Sequence, residues 1–214
     1  MRKNVICFAA IFLALVTVPT FAQLYDNGST NGNTDGWTIN FGFAVSDSFP
    51  TPGGIIGGLQ FAAWLFPGDT LLNSEVLITS SEFGGTTYFD QVVNFTQSTN
   101  CPTNTYGYNI CVETGAFTAN LAAGTYWLIL QNAVVNNGDP VYWDENSGPS
   151  SASENSIGTV PSESFTVNGI CGAGPNSPGC VTIPEPSIIL LFGSGALTLL
   201  GPGLLRLLRG LRGR

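Results

Sequence analysis

The residues whose types and spacing could bind a metal ion lie in an acidic, Asn-rich loop over residues 26–36, which we call the acidic loop. Asn31, Asn33 and Asp35 follow the spacing of the first half of an EF-hand-type loop, whose carboxylate and amide oxygens bind calcium. The pattern then breaks, because Gly42 stands where a bidentate Glu is needed. Asn and Asp side chains also bond their own backbone in ordinary turns. Calcium binding is therefore one hypothesis for this loop, and a turn-forming loop is the alternative.

A second group of candidates combines tryptophan with carboxylates. Exposed flat rings such as those of Trp64 and Trp143 would suit stacking on a pyranose, although buried aromatics dominate sandwich cores. Asp144 and Glu145 follow Trp143, but neighbouring residues of a strand point to opposite faces. A glycosidase needs two carboxyl groups about 5 to 10 Å apart across a cleft. We therefore take Trp64 and Trp143 as candidate ligand-binding residues and predict no catalytic residue.

The distribution of charged residues excludes several kinds of catalysis and binding. The chain has no histidine, and its six basic residues all lie before residue 4 or after residue 205. Thirteen of the fourteen acidic residues lie between 23 and 183, which gives that part a formal charge of −13. Serine–histidine catalysis, histidine-ligated metals, Schiff-base chemistry and phosphate clamps need side chains that are missing there. Because an acidic surface also repels nucleic acid, we predict a protein that is not an enzyme and binds no nucleic acid.

Four cysteines lie beyond the first 22 residues, namely Cys101, Cys111, Cys171 and Cys180. In an exported protein they would meet an oxidising compartment, where an even number of cysteines indicates disulfides. Three connectivities are possible, and short separation favours Cys101–Cys111 and Cys171–Cys180. No C-x-x-C pair typical of a zinc site occurs in the sequence.

The N-terminus carries the features of an export signal. Residues 1–4 are basic, residues 5–16 are an apolar stretch, and Thr20-Phe21-Ala22 ends with a small residue suited to signal peptidase. The apolar stretch is too short to span a bilayer. We therefore predict a signal peptide over residues 1–22, recognised by the Sec machinery and removed by signal peptidase after Ala22.

The C-terminal end has the features of a membrane segment. Pro184-Glu185-Pro186 is followed by residues 187–205 without a charge, and then by an Arg-rich end. At about 1.5 Å per residue, a helix over that span would be roughly 28 Å long, close to the hydrocarbon thickness of a bilayer. Arginines after the span suit a cytoplasmic end. The sequence therefore predicts a transmembrane helix in this segment.

The order of these parts resembles the PEP-CTERM sorting signal of exported proteins of Gram-negative bacteria. The matching parts are the Pro-Glu-Pro tripeptide at residues 184–186, the apolar span and the basic end that includes Arg206 and Arg209. The resemblance covers residues 184–214 and implies recognition by exosortase, a membrane protease, with removal of the tail near the tripeptide. It also implies a protein anchored transiently in the inner membrane, which then reaches the cell envelope or the extracellular space and accompanies exopolysaccharide and biofilm production.

Between the two ends the sequence has the pattern of a β protein. Short runs of Thr, Val, Ile and aromatic residues are separated by Gly, Asn, Ser, Asp and Pro. Residues 37–46, 59–65 and 106–112 alternate as strands do. Residues 125–132 are apolar on both sides, which is typical of a central strand.

The remaining segments of this region are predicted to connect strands. Residues 48–54, with two prolines, indicate a turn, and residues 147–161 indicate a loop. About nine strands without a helical period predict an antiparallel β-sandwich of jelly-roll-like order over residues 23–168. Residues 169–183 are predicted to be a Gly/Pro linker to the sorting segment.

Together these observations predict an exported protein of the cell envelope or extracellular matrix, with a structural or adhesive role linked to exopolysaccharide. The alternative is a carbohydrate-binding module, which surface-exposed aromatic rings would favour. An exported enzyme is a third hypothesis, and it would require two carboxyl groups facing each other across a cleft. The expected partners are signal peptidase, the Sec machinery, exosortase, the membrane and exopolysaccharide.

Overall fold

The computed structural model of the protein describes residues 21–170, which form twelve β-strands and no helix. In chain order these are β1 (Phe21–Asp26), β2 (Gly36–Thr38), β3 (Ala44–Thr51), β4 (Gly54–Leu65), β5 (Leu71–Ser81), β6 (Gly84–Gln97), β7 (Asn109–Leu121), β8 (Gly124–Val135), β9 (Tyr142–Asp144), β10 (Ala152–Glu154), β11 (Gly158–Val160) and β12 (Phe165–Ile170). Within this described range no helix could cross a membrane. Residues 1–20 of the predicted signal peptide, the predicted Cys171–Cys180 pair and the predicted sorting signal lie outside it. The last two residues of the predicted signal peptide, Phe21 and Ala22, instead begin β1, and the first two of the predicted linker, Gly169 and Ile170, end β12 and pair with them.

All strand pairings are antiparallel, and they join the strands into one curved sheet. The order along the sheet is β1-β12-β4-β7-β6-β5-β8-β3-β10-β11, and β9 pairs with both β4 and β2. β6 is shared between two halves, because residues 84–94 pair with β5 whereas residues 95–97 pair with β7. The sheet therefore bends at β6 into a half-barrel, and the predicted all-β, antiparallel class is confirmed.

The core lies inside this bend and is rich in aromatic rings. Alternate residues of the 59–65 run on β4 are buried in it, as their alternation predicts. Phe61 and Phe165 both contact Trp143 edge to face, with ring centroids 6.0 and 5.5 Å apart. β8 lies between β3 and β5, and its residues 128–130 are all buried. The predicted central strand is therefore confirmed.

The predicted strand over residues 37–46 is wrong in its middle. β2 ends at Thr38 and β3 begins at Ala44, and between them the chain reverses at Phe41 and Gly42, whose φ angles are 56° and 89°. The Phe43 N–H donates to the Asn40 carbonyl at 3.0 Å and closes this turn. Gly42 adopts the left-handed conformation readily, so local turn geometry overrides the apolar alternation.

Two predicted connections also contain strands. β3 continues through Pro50 to Thr51, although a turn is predicted from residue 48. Proline is tolerated because β10 pairs only with residues 45–47, which leaves one side of β3 without a strand partner at Pro50. The predicted loop 147–161 contains the short β10–β11 pair at the edge of the sheet. Three-residue strands carry too little periodicity to be recognised in sequence.

The interior also contains carboxyl groups that have no basic partner. Asp47, Glu113 and Glu163 are all fully buried, and residues 21–170 include no Lys, Arg or His that could pair with them. Burial raises the pKa of Asp47 to about 6 and that of Glu113 to about 7, and it raises the pKa of Glu163 well above its usual value. These groups therefore hold protons at a pH where exposed carboxyl groups are ionised.

Candidate functional site

A cavity of about 490 Å³ opens where β4 and β9 meet the acidic loop, and we call it the aromatic pocket. Its walls combine three residues of that loop with four aromatic side chains. The loop residues are Thr34, Asp35 and Gly36, and the aromatic residues are Trp64, Tyr106, Tyr108 and Tyr142. This size falls within the range of small-ligand sites, which are mainly apolar with a few polar groups. A smaller cavity of about 200 Å³ lies beside β12, but Phe61 and Phe165, which line it, are buried and offer a ligand no exposed ring.

Strand pairing brings the walls of the aromatic pocket together. Trp64 on β4 lies opposite Tyr142 on β9, so both side chains stand on the same face of the sheet. β9 also pairs with β2, which begins at Gly36, directly after the acidic loop. A Cβ atom at Gly36 would lie 3.1 Å from Tyr142 Cβ and 3.2 Å from the Trp64 ring. Glycine therefore allows the loop to pack closely against both rings.

The four rings contact one another and leave Tyr106 outermost. Trp64 and Tyr106 stack with centroids 5.8 Å apart and planes inclined by 23°, and Tyr108 meets Tyr142 edge to face at 5.4 Å. Tyr106 is 62% exposed, whereas Trp64 is 4% exposed beneath it. Burial and the neighbouring Tyr108 raise the pKa of Tyr142 to about 12, so this phenol is neutral at physiological pH. The pocket therefore offers an exposed ring at Tyr106 and a neutral hydroxyl group at Tyr142.

Tyr106 and Tyr108 belong to a turn rather than to the strand predicted over residues 106–112, which begins at Asn109. Asn104 Oδ1 accepts the N–H groups of Tyr106 and Tyr108 at 3.0 and 2.9 Å, and these bonds hold the chain in the turn. The predicted disulfide Cys101–Cys111 is confirmed and closes the base of the segment, with Cα atoms 4.6 Å apart. The Asn104 hydrogen bonds and the disulfide together position both tyrosines.

Replacing Cys101 and Cys111 by serine should destabilise the protein by about 2 to 3 kcal/mol, because the bond closes a loop of ten residues. It should also loosen the turn that places Tyr106 at the aromatic pocket. Thermal unfolding with and without reductant measures the first effect. The matched control is replacement of Cys171 and Cys180. Peptide mapping that finds Cys101 bonded to either of those cysteines would contradict the pairing.

Asp144 connects the acidic loop to the pocket. Its Oδ1 accepts the Trp64 indole N–H at 2.6 Å and the Gly32 N–H at 2.7 Å, while its Oδ2 accepts the Asn31 N–H at 2.7 Å. The side chain is fully buried. Burial raises the pKa of Asp144, although the three hydrogen bonds act in the opposite direction. Asp144 therefore fixes both the loop and Trp64, and it acts through them rather than by contact with a ligand.

Glu145, the neighbour of Asp144, bonds a different tryptophan. Its Oε2 accepts the Trp37 indole N–H at 3.1 Å, and its own backbone N–H donates to the Asp35 carbonyl at 3.0 Å. Burial raises the pKa of Glu145, and Asp35 and Asp144 add to this effect by repulsion. Each carboxylate of the Asp144–Glu145 pair thus holds a separate indole.

The three candidate calcium-binding residues form local turn contacts. Asn33 Nδ2 donates to the Asn31 carbonyl at 3.3 Å, Asn31 Nδ2 donates to the Thr34 hydroxyl, and Asp35 Oδ1 accepts the Gly36 N–H at 2.8 Å. These are the bonds that the alternative, turn-forming interpretation predicts. Over residues 21–170, no three acidic or cysteine side chains are grouped so as to hold a metal ion.

The two candidate tryptophans lie in different places. Trp64 lines the aromatic pocket, as a ligand-binding role requires. Trp143 is fully buried, and its indole N–H donates to the Ser164 carbonyl at 2.9 Å. It therefore belongs to the core, and the expectation that it forms part of a binding surface is corrected. The reason is strand alternation, because Trp143 and Tyr142 point to opposite faces of β9.

A buried polar network that no sequence motif indicates holds the start of the acidic loop. Asn27 Nδ2 lies 2.6 Å from Ser150 Oγ, Ser162 Oγ and the Glu163 carbonyl, and 3.1 Å from Asp47 Oδ2. The Glu163 N–H also donates to Asp47 Oδ2 at 2.7 Å. These residues are as far as 136 positions apart in the chain. The only sequence signal was their polar type inside a β domain.

Comparison with known proteins gives no independent guide to function. No protein-family model and no curated protein matches the chain. The case for a function therefore rests on the geometry and chemistry of the aromatic pocket.

Proposed function

We propose that the protein is an exported envelope or matrix protein whose β domain binds carbohydrate at the aromatic pocket. The observation that carries the proposal is the convergence of Trp64, Tyr106, Tyr108 and Tyr142 around one cavity. A sugar has apolar C–H faces that suit aromatic rings and a hydroxyl rim that needs hydrogen-bond partners. Tyrosine supplies both, since its ring is apolar and its hydroxyl is polar. In this proposal, adhesion to exopolysaccharide is how the protein takes part in the matrix.

Strand order supports a jelly-roll topology for the domain. If β1, β3, β4, β5, β6, β7, β8 and β12 are numbered one to eight, half of the sheet runs 1-8-3-6 and the other half runs 2-7-4-5. This is the strand order of a jelly roll, which hosts lectins among many other functions. The fold is therefore compatible with sugar binding, but the proposal depends on the residues of the aromatic pocket.

The carboxylates at the site support a binding function over hydrolysis. Asp144 and Glu145 each accept an indole N–H, and Asp144 is buried beneath Trp64. A glycosidase instead needs two carboxyl groups that both reach the substrate. We therefore propose a module that binds carbohydrate without cleaving it.

Removing the outermost ring should test the proposal directly. Tyr106→Ala should weaken carbohydrate binding roughly tenfold, since it removes the exposed ring on which the sugar would stack. The matched control is Tyr88→Ala, because Tyr88 is also exposed but lies on β6, outside the pocket. A glycan array with the full-length protein, with and without calcium, would identify the ligand. Equal binding by both variants, or no glycan bound by the wild type, would contradict the proposal.

The sorting role remains a proposal that rests on the two ends of the sequence. The tripeptide at residues 184–186, the apolar span and the basic end lie in the order of a sorting signal. The mature protein should therefore begin at Gln23 and lack the residues beyond about 186. Intact mass spectrometry of envelope and medium fractions measures both ends. A mature species that still carries Arg214 would contradict removal of the tail.

A further inference from the structure

Acidic side chains lie at the rim of the aromatic pocket and behind its wall. The exposed residue Asp35 lines it, and Asp144 and Glu145 lie directly behind its wall. No basic side chain occurs anywhere in residues 21–170, so nothing in the described domain offsets this field. A ligand entering the pocket therefore meets aromatic faces and an anionic rim together.

This combination suits a cation better than a neutral group. The faces of Tyr and Trp rings carry negative electrostatic potential and attract ammonium groups within about 6 Å of the ring centre. Asp35 Oδ1 accepts the adjacent Gly36 N–H, which orients this carboxylate at the pocket. An acidic sugar would be repelled by the whole domain. A neutral sugar could stack on Tyr106 and donate a hydroxyl hydrogen bond to Asp35, but it would gain no attraction between opposite charges.

We infer that the aromatic pocket selects an amino sugar, a pyranose whose free amine is protonated, over its N-acetylated or neutral counterparts. This inference rests on the proposed carbohydrate-binding function and names the class of ligand. The sugar face stacks on Tyr106, and the ammonium group lies at the rim beside Asp35. Acetylation removes the positive charge and so removes the attraction of both the rings and the carboxylate.

The experiment compares two tetrasaccharides that differ only in acetylation, β-1,4-linked glucosamine and β-1,4-linked N-acetylglucosamine. Calorimetric titration of the full-length protein at slightly acidic pH and low salt should give about five- to tenfold tighter binding of the glucosamine tetramer. Asp35→Asn, which keeps the shape of the side chain, should abolish most of this preference. Glu82→Gln changes the net charge equally at an exposed position in the β5–β6 turn and should retain it. High salt should reduce the preference by screening.

The outcomes separate this inference from the function on which it rests. Binding of both tetramers with equal affinity, weakened equally by Tyr106→Ala, would overturn selection by charge and leave carbohydrate binding in place. A preference that Asp35→Asn leaves unchanged would also overturn the inference. If neither tetramer binds, and the glycan array is empty as well, both proposals fail. A preference lost in Asp35→Asn and kept in Glu82→Gln supports both.

Discussion

Replacing Asp144 with alanine is expected to destabilise the protein by about 3 to 5 kcal/mol and to abolish ligand binding at the aromatic pocket. The change removes the acceptor for three N–H donors, those of Trp64, Gly32 and Asn31. The donors of Trp64 and Gly32 are buried, and each costs about 1 to 3 kcal/mol when it is left without a partner, although such costs do not add fully. Denaturant unfolding followed by circular dichroism measures the loss of stability.

Two further variants show whether the loss arises from these hydrogen bonds. Asp144→Asn keeps one carbonyl oxygen but turns an NH₂ group toward the donors, so it should lose less stability than alanine does. Glu82→Ala removes an exposed carboxylate and should change stability by less than about 0.5 kcal/mol. If Asp144→Ala is as stable as Glu82→Ala, the three donors have other partners and Asp144 does not hold the pocket.

Much of the fold follows from the sequence wherever burial sets the pattern. The run over residues 59–65 predicts a strand in which Leu59, Phe61, Ala63 and Leu65 share one face, and these four side chains pack together in the core. The same rule fails at Phe41, which is 64% exposed in a turn that Gly42 makes possible. A local pattern cannot show which apolar residues a distant strand will cover.

The candidate site is predicted only in part, since it is assembled from distant segments. The sequence singled out Trp64 and the acidic loop separately, and the structure joins them through Asp144, which is 80 positions from Trp64. Tyr106 and Tyr108 fit a strand pattern, yet Asn104 and the disulfide hold them in a turn. Side-chain hydrogen bonds of this kind leave no periodic trace in the sequence.

The second large effect is a change of stability with pH, which arises from the buried carboxyl groups. Glu113 is the clearest of these groups. It is fully buried on β7 and faces Gln97 on β6, and neither of its carboxyl oxygens has a hydrogen-bond partner within the described residues. Gln97 Oε1 also lacks a partner there. The side chains of Glu113 and Gln97 lie on the same face of the sheet, because the two residues are paired. A protonated Glu113 therefore has an O–H donor on the face that also carries the acceptor Gln97 Oε1. The ionised form would be a buried, unpaired charge.

Lowering the pH from about 8 to about 5 should therefore stabilise the protein, by on the order of 2 to 3 kcal/mol for Glu113 alone. Burial raises the pKa of Glu113 from 4.5 to about 7, so between these values the folded state holds a proton that the unfolded state has lost. Stability is then greatest below about pH 4.5, falls as the pH rises toward 7, and changes little above that. Burial raises the pKa of Asp47 to about 6, which adds a loss of the same sign.

The variant Glu113→Gln isolates this effect, because it cannot ionise. From about pH 5 to about pH 8, the free energy of unfolding of the variant should rise by about 2 kcal/mol relative to that of wild type. Any loss of stability caused by the amide itself is the same at both pH values and does not alter this change. Glu82→Gln, an exposed carboxylate with an equal change in charge, should show almost no such improvement. Melting series of the three proteins across this pH range measure the difference. A wild type that is markedly less stable at pH 5 than at pH 8 would mean that hydrogen-bond donors hold its carboxylates in the ionised form. If the stability of Glu113→Gln changes with pH as that of wild type does, Glu113 is not the cause of the change.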